Sequence, residues 1–414
     1  MSEVAVLQRQ PQRDARSSEA GASARLPSVC HFTTAHTALK SRSFHRQCLP
    51  LAEAGFPVSF VAPIPHADTG PVALCSLPRR RNRIRRSIVN LLRALLNQQA
   101  GLYHFQDPEL LPLALVLKII FGKRVVYDAY EDFPSMARAS GSIPRALRPL
   151  ASKSIAILES IAARCLDGLM TADPFTLRRL ARTGGSRKLV FHNFPNLDFF
   201  PEPTPLPKVF DLVYRGGISE RSGTYVLLDA MKLLANQSRR VQALLIGYFD
   251  SCGEEMRLRE RVRALGLESQ VEVRGRIAHE EMAAALSQAR IGVCPLQAVP
   301  KFLLNIPVKV FEYWACGLPV VASDLPPIRP YFRGTEGGLL FRAGSASQFA
   351  HSLAWLLDHP GAAAQMGRNG RAAIVERFNN AAEVRRLKRY FVKIAATESA
   401  RSEDFADART PCEI

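Results

Sequence analysis

The stretch NIPVKVFEYWACGLPVVASD, residues 305–324, contains a short amphipathic helix followed at once by a short apolar strand. Apolar side chains recur at helical spacing before Gly317, a residue type suited to the C′ position where a helix ends, and Pro319–Ser323 is typical of a buried strand. Glu312 lies within the apolar run, where an unpaired carboxylate would be costly to bury. The stretch therefore predicts a step from helix to parallel strand, with a carboxylate that is either functional or paired.

The same alternation extends over most of the chain. From residue 28 onward short β-rich runs alternate with helical patterns, and the alternation resumes after a proline-rich linker near 197–208. Such a pattern indicates βαβ units and parallel sheets. We therefore predict an α/β fold of two doubly wound, Rossmann-like domains that face a cleft, with C-terminal helices. The expected segments are a disordered arm (1–26), an N-terminal domain (27–200), a C-terminal domain (201–380), a C-terminal helix (381–398) and a disordered tail (399–414). One arrangement open to the C-terminal helix is to pack back on the N-terminal domain.

The charge of the chain indicates an anionic partner. The chain carries 55 Lys and Arg against 37 Asp and Glu, a formal net charge of +18. Seven arginines fall within residues 79–96 together with apolar residues at helical spacing, which favours a basic amphipathic helix on an anionic membrane surface. The alternative is a surface helix whose apolar stripe packs on its own domain. Nucleic acid is disfavoured as a partner because no stacking aromatic residues lie among these arginines.

Other features of the sequence exclude several classes of protein. The eight cysteines are scattered without a CxxC pair, so neither a zinc site nor a disulfide framework is indicated, and a cytoplasmic protein fits best. The N-terminal segment lacks the apolar region of a secretory signal, and no apolar run reaches the about 18 residues that a membrane-spanning helix needs. If the protein meets a membrane, we expect it to lie on the inner face as a peripheral protein.

Five segments resemble family 4 of the retaining glycosyltransferases, the glycosyl transferases group 1 with the two-domain GT-B fold. Residues 307–323 resemble the nucleotide-binding element of that family, and YRGGISERSGTYVLLDAM (214–231) resembles its diphosphate-binding glycine loop and the helix after it. HFTTAHTALKSRSFHRQCLPLAEAGFPVSFVAP (31–63) resembles its opening strand, acceptor-side loop and first helix. FQDPELLPLALVLK (105–118) and VVYDAYEDFP (125–134) resemble a branch that carries HDPELLP and YDxHEDYP.

The resemblance implies a set of site residues. Glu312 would bind the ribose of a nucleoside diphosphate, and Arg221 with Lys309 would neutralise the leaving diphosphate. On the residues alone, Glu312 could instead pair with Lys309 or an arginine, and Arg221 could be a solvent-facing loop charge. The implied donor-binding residues are Gly216, Gly217, Arg221, Pro307, Val308, Lys309 and Glu312, the implied catalytic residues are Tyr130, Arg221 and Lys309, and no metal site is implied.

The chain departs from the family pattern at several positions. Gly217 and Ser222 stand where the glycine loop usually carries basic residues, and Leu304 stands where many relatives have a second glutamate. Gln106 and Tyr130 replace histidines of the branch, and a tyrosine can donate a hydrogen bond but carries no charge near neutral pH. Three carboxylates nearby are candidates for accepting hydroxyl hydrogen bonds, or are charges at helix N-termini: Asp128, Glu131 and Asp132.

The resemblance implies an enzyme that moves a hexose from a UDP- or GDP-linked donor to a hydroxyl acceptor, with retention of configuration, and we expect it to need no metal or other cofactor. The expected acceptor is a glycan or a lipid-linked glycan of bacterial surface polysaccharide synthesis, reached at the membrane through residues 79–96. Two alternatives stay open. One is a nucleotide-sugar 2-epimerase of similar fold, which needs acid and base groups around the sugar C2. The other is a catalytically lapsed scaffold, which the departures from the family pattern favour.

Overall fold

The computed structural model describes most of the chain. The described residues are 26–35, 39, 42–65, 67–77, 84–140, 143–181, 186–203, 207–249 and 251–396. The predicted N-terminal arm up to residue 25, the predicted tail 399–414 and the arginines of 79–83 lie outside these residues. In the described part of the chain, no helix is long and apolar enough to cross a lipid bilayer.

The first domain is built on a parallel sheet. Among the described residues seven strands form it, in the order β3-β2-β1-β4-β5-β6-β7. The strands are β1 (Val29–Phe32), β2 (Val58–Ala62), β3 (Ala73–Ser76), β4 (Leu102–Phe105), β5 (Val125–Ala129), β6 (Gly168–Thr171) and β7 (Arg187–Val190). The helices are α1 (Leu49–Glu53), α2 (Ile84–Asn97), α3 (Leu111–Ile119), α4 (Phe133–Ala139), α5 (Arg148–Cys165) and α6 (Pro174–Ala181). The strand order reverses between β1 and β4, where sheets of this kind bind ligands at their carboxyl ends.

The second domain repeats this architecture. Its parallel sheet has six strands within the described ranges, in the order β10-β9-β8-β11-β12-β13. The strands are β8 (Phe210–Ile218), β9 (Ala243–Phe249), β10 (Val271–Arg274), β11 (Ala289–Cys294), β12 (Val320–Ser323) and β13 (Gly338–Phe341). The helices are α7 (Thr224–Asn236), α8 (Cys252–Ala264), α9 (His279–Ser287), α10 (Val308–Ala315), α11 (Arg329–Thr335), α12 (Ala346–Asp358), α13 (Pro360–Glu376) and α14 (Asn380–Ala395). The predicted fold class, two doubly wound α/β domains followed by C-terminal helices, is confirmed.

Helix α10 and strand β12 are buried, as the sequence predicts. Gly317 has a φ of +68°, the left-handed conformation that ends a helix, and β12 follows after a short turn. Trp314 is buried and donates a hydrogen bond from Nε1 to the Gly337 carbonyl at 2.9 Å. The indole therefore joins α10 to the start of β13, and α10 is held in place from several sides.

Two histidines lie side by side in the first sheet. His31 of β1 is in register with His104 of β4, and their Nδ1 atoms are 3.0 Å apart in a fully buried environment. Burial lowers the pKa of His104 to about 3, and burial together with the neighbouring His104 lowers the pKa of His31 well below its ordinary value. Both imidazoles are therefore neutral in the folded protein at neutral pH.

The last helix, α14, packs on the first domain although it follows the second. Its apolar side chains enter the core on one face of the first sheet, where Phe391 contacts the edge of the His104 ring. Tyr390 donates from its hydroxyl to the carbonyl of Leu169 at 3.2 Å and lies 2.8 Å from that of Arg187. The chain thus crosses back and closes the first domain with its final helix.

Candidate functional site

A cavity of about 240 Å³ lies at the carboxyl end of β8, between the loop 216–223 and the segment 301–309. We call it the glycine-loop cavity. It gathers five of the residues that the sequence singles out: Gly216, Gly217, Arg221, Pro307 and Lys309. It lies at the switch point of the second sheet, between β8 and β11, where a doubly wound fold binds its ligand.

The loop that lines this cavity needs glycine at its end. Gly223 has a φ of +78°, and a Cβ atom there would lie 1.6 Å from the Pro295 carbonyl oxygen. Gly223 is also the N-cap of α7 and offers no capping side chain. The N-terminus of α7 therefore has no side-chain cap, and a helix N-terminus of this kind attracts anions such as phosphate.

Basic side chains surround the same cavity. Lys309, in the first turn of α10, places Nζ 4.1 Å from the centre of the Tyr214 ring and 3.0 Å from where a Cβ of Gly216 would be. The absence of a side chain at Gly216 therefore makes room for this ammonium group. Arg221 and Lys301 also line the cavity. Lys301 was missed in the sequence because it lies in an irregular segment that belongs to none of the recognised motifs.

Glu312 lies beneath the glycine-loop cavity and does not line it. The side chain is on α10, the residue is only 1% exposed, and Oε2 is 3.1 Å from Nη1 of Arg215 in β8. Its ion-pair partner is thus an arginine, one of the two alternatives, and not Lys309. Glu312 also interacts electrostatically with Arg46 of the first domain. Burial and the charge of Arg42 lower the pKa of Arg46 to about 10, and the negative charge of Glu312 partly offsets this lowering.

A second cavity, of about 130 Å³, lies between the two domains, and we call it the cleft cavity. Tyr130 and Glu131 line it from the first domain, and Val308 lines it from the second. The side chain of Asn305 donates to Glu131 Oε2 across the cleft at 3.3 Å. Because Asn305 and Ile306 line both cavities, the cleft cavity adjoins the glycine-loop cavity.

The tyrosine at position 130 contributes an uncharged donor. Burial, followed by the charges of neighbouring carboxylates, raises the pKa of Tyr130 above its ordinary value, so the phenol stays protonated at neutral pH. The guanidinium of Arg42 lies 5.8 Å from the ring centre. The hydroxyl can therefore donate a hydrogen bond, which is the capability that the sequence predicts for a tyrosine in this place.

Two other positions on this side of the cleft have structural partners. Gln106 is buried and donates from Nε2 to the Ser43 hydroxyl at 2.9 Å. Asp128 is buried as well, and its Oδ2 accepts from Arg42 at 2.6 Å and from Gln47 at 2.9 Å. Neither residue lines the cleft cavity. Of the three candidate carboxylates, Asp128 is thus an internal ion-pair partner.

The remaining two candidate carboxylates differ in their surroundings. Asp132 precedes α4, accepts from the Ser135 hydroxyl and lies 3.5 Å from Arg179. That arrangement fits the alternative of a charge at a helix N-terminus. Glu131 lines the cleft cavity and accepts from Asn305. Glu131 is therefore the one of the three that faces the cavity.

One family model matches part of the second domain. Residues 209–359 match the family model of the glycosyl transferases group 1. The matched segment contains the glycine loop, Lys301, Lys309 and Glu312, so it includes the whole glycine-loop cavity. The match does not distinguish the HDPELLP branch, whose motifs lie in the first domain, and the branch stays a prediction.

Two curated glycosyltransferases are similar to part of the chain. One is phosphatidyl-myo-inositol mannosyltransferase of Mycobacterium leprae, 32% identical over 167 residues, which are 40% of this chain and 42% of that protein. The other is amylovoran biosynthesis glycosyltransferase AmsK of Erwinia amylovora, 28% identical over 179 residues, 43% of each chain. The chain thus spans about two fifths of the length of the curated relatives that it matches.

Solved structures share the fold over nearly the whole chain. Sucrose-phosphate synthase from Thermosynechococcus elongatus has a TM-score of 0.68 at 20% identity and covers 89% of this chain and 99% of its own. Anabaena HepE in complex with UDP has a TM-score of 0.66 at 14% identity, covering 88% and 100%. WaaG, a glycosyltransferase of lipopolysaccharide biosynthesis, has a TM-score of 0.59 at 14% identity, covering 89% and 100%. The chain therefore has the two-domain GT-B fold.

Proposed function

We propose that the protein transfers a sugar from a nucleoside-diphosphate-sugar donor to a hydroxyl acceptor, with retention of configuration. The observation that carries this proposal is the glycine-loop cavity, which the glycine loop before the N-terminus of α7 and three basic side chains line together. A diphosphate suits this arrangement because backbone N–H groups and cations both stabilise negative charge. HepE, which shares the fold, binds UDP and UDP-glucose, which supports a UDP-linked donor over a GDP-linked one.

The residues would divide the work of donor binding. Lys309, Lys301 and Arg221 neutralise the charge that develops on the leaving diphosphate, the electrostatic role that usually dominates such catalysis. The backbone at Gly216 and Gly217 allows close approach of the phosphates. Pro307 and Val308 shape the opening from this cavity to the cleft, and Tyr130 donates a hydrogen bond to the transferred sugar from the opposite side.

Glu312 requires a step that the family resemblance alone does not suggest. Because Arg215 holds its carboxylate in the free protein, the ribose hydroxyls would have to share or replace that ion pair. No group of three or more His, Cys, Asp and Glu side chains in the described part of the chain is arranged to hold a metal ion. We therefore propose that the basic side chains alone neutralise the diphosphate, and sensitivity of the activity to EDTA would contradict this.

The proposal is tested first by nucleotide binding. We expect UDP at about 100 times its dissociation constant to stabilise the wild type by roughly 2.7 kcal/mol in a thermal-shift titration, with smaller effects of GDP and ADP. Glu312→Ala should lose this stabilisation, because the carboxylate holds the ribose. Arg215→Met is the matched control, since it breaks the same ion pair but keeps the carboxylate, and it should retain the shift.

Other outcomes of this titration have different meanings. An equal loss of the shift in both variants would reduce Glu312 to a structural role. No shift with any nucleotide in the wild type would overturn the proposal and favour a lapsed scaffold. Release of an isomerised free nucleotide sugar without an acceptor would instead favour the 2-epimerase.

The acceptor is proposed to be lipid-linked and to be reached at an anionic membrane on the inner face of the cell. The described part of α2 supports this only in part, since Leu91 and Leu95 pack into the core of the first domain while Arg93 is exposed. At Leu91 and Leu95 the apolar stripe of α2 therefore packs on its own domain, which is the alternative to membrane insertion given above. The proposed membrane contact of residues 79–96 would then come from its arginines.

Helix α5, which buries side chains in the same core as α2, supplies exposed apolar side chains. Along α5, Leu150 is 64%, Ile157 50% and Ile161 37% exposed, and Lys153 and Arg164 lie exposed among them. Apolar side chains that insert between lipids and basic ones that meet anionic headgroups are the features of an interfacial helix. We propose that α5 and the exposed Arg93 of α2 together belong to the membrane-facing surface.

Vesicle flotation tests this surface. We expect the wild type to float with vesicles of phosphatidylcholine and phosphatidylglycerol but not of phosphatidylcholine alone. The double change Ile157→Asp and Ile161→Asp should reduce the bound fraction at least about tenfold, because it removes the inserting side chains and adds negative charge. Val375→Asp, at a site 51% exposed on α13, is the control and should float like the wild type. Equal flotation of all three proteins would exclude α5 from the surface.

A further inference from the structure

A histidine that no motif includes faces the cleft cavity. His192 follows β7 and lines the cavity together with Tyr130 and Glu131. Its ring stacks on Phe194, with centroids 4.6 Å apart and an angle of 11° between the planes. The imidazole is therefore fixed in one plane at the edge of the space that adjoins the glycine-loop cavity.

A carboxylate from the far end of the chain contacts this histidine twice. Glu383 of α14 is buried, and its Oε2 accepts from the His192 backbone N–H at 2.8 Å. Its Oε1 lies 3.4 Å from His192 Nδ1 and accepts from Arg386 at 2.8 Å. Burial by itself would raise the pKa of Glu383, but the contacts with His192 and Arg386 outweigh it and lower the pKa. Glu383 is therefore ionised at neutral pH.

This contact decides which ring nitrogen carries the proton. An ionised carboxylate can only accept hydrogen bonds, and it is the acceptor that lies 3.4 Å from Nδ1, which is buried and has no hydrogen-bond partner of normal geometry in the described part of the chain. A neutral ring is then protonated at Nδ1, which leaves Nε2, on the opposite edge, as an acceptor. A buried aspartate fixes the tautomer of the histidine in serine proteases by the same physical rule.

Other charged groups around the cleft cavity already have partners. Asp173 accepts from the backbone N–H groups of Phe175 and Thr176 and so caps α6, and Glu131 accepts from Asn305. Arg42 and Arg46 donate to carbonyls on either side of His192, at Phe191 and Phe194. Within the described residues, His192 Nε2 is thus an acceptor that this network does not consume.

We propose that Glu383 is a positioning residue that holds His192 as the Nδ1–H tautomer, so that Nε2 accepts a hydrogen bond from a hydroxyl of the transferred sugar. The inference rests on the proposed transfer reaction and deepens it. The sugar is the ligand that fits, because the cleft cavity adjoins the cavity assigned to its diphosphate and a sugar presents hydroxyl donors. Helix α14 thereby contributes to the site although its residues lie outside the matched family domain.

The variant Glu383→Gln tests the tautomer with little change of shape. Its amide oxygen can still accept from the His192 backbone, while its NH2 group faces Nδ1 and favours the Nε2–H tautomer. We expect kcat to fall about 10- to 100-fold, with the KM for the nucleotide sugar and the UDP-induced thermal shift unchanged. In a His192→Phe background, Glu383→Gln should cause no further loss of kcat, since the carboxylate acts through the ring.

Nuclear magnetic resonance separates this inference from the proposed reaction. Long-range ¹H–¹⁵N spectra of protein labelled at histidine nitrogen, assigned with His192→Phe, should show an unprotonated Nε2 in the wild type and a protonated one in Glu383→Gln. Absence of transfer with every donor would overturn the proposed function, while the spectra would still test the tautomer. A protonated Nε2 in the wild type, or equal kcat of wild type and Glu383→Gln, would overturn the inference.

Discussion

Replacing Lys309 with methionine is expected to lower kcat about 100- to 1000-fold, the loss typical when one group that stabilises developing charge is removed. The ammonium is held between the Tyr214 ring and Gly216, at the base of the glycine-loop cavity. Methionine keeps the length and apolar contacts of the side chain but cannot neutralise a leaving diphosphate. The measurement is the steady-state rate of transfer with saturating donor and acceptor.

Two further variants make this prediction specific. Lys188→Met removes an exposed lysine of β7 in the first domain, so it should leave kcat unchanged. Lys301→Met lines the same cavity from an exposed position, and we expect a smaller loss, of about tenfold, because solvent screens its charge. A Lys309→Met enzyme as fast as the wild type would show that the diphosphate binds elsewhere.

Lowering the pH from 8 to 5 is expected to destabilise the first domain, by roughly 2 kcal/mol through the buried His104 and by a further loss of the same sign through the buried His31. The pKa of His104 falls to about 3 in the folded protein, and that of His31 lies well below its ordinary value, whereas both have ordinary values after unfolding. Below about pH 6.5 the unfolded chain therefore binds more protons than the folded protein. The stabilisation is complete above that pH and is lost as the pH falls towards 3.

Urea unfolding at pH 8, 6 and 5 measures this dependence. His104→Phe should remove the part of it that comes from His104, because only His31 of the pair then remains to titrate and the new ring can pack against Phe391. Protonation of Glu383 does not contribute to the fall in the free energy of unfolding between pH 7 and 5, because its lowered pKa places that protonation at lower pH. A urea midpoint that stays constant from pH 8 to 5 would contradict the neutral state of the pair.

Local sequence patterns were sufficient for the fold. The step from α10 through Gly317 to β12 depends on consecutive residues, so a local pattern predicts it. The repeated alternation of strands and helices predicts two parallel sheets. The glycine loop was predictable for the same reason, since close backbone approach and an uncapped helix start depend on residues that are adjacent in the chain.

The site contains contacts that no local pattern could predict. Glu312 lies one helical turn after Lys309 on α10. Its ion-pair partner is instead Arg215, which lies on β8, almost 100 residues earlier in the chain. Glu383 and His192 are 191 residues apart and meet only because α14 crosses back. Gln106 and Tyr130 were both predicted to lie at the cleft, but only Tyr130 lines the cleft cavity, because the side chain of Gln106 donates to the Ser43 hydroxyl in the interior.

Because α14 packs on the first domain, that domain can complete its core only after the second domain has been synthesised. Part of one apolar face of the first sheet is covered by Leu387 and Phe391, which are synthesised after the whole second domain. At about 5–20 residues per second, a ribosome needs roughly 10–40 s to pass from the end of β7 to α14. During that interval we expect the nascent first domain to expose an apolar surface to which chaperones, or other nascent chains on the same mRNA, can bind.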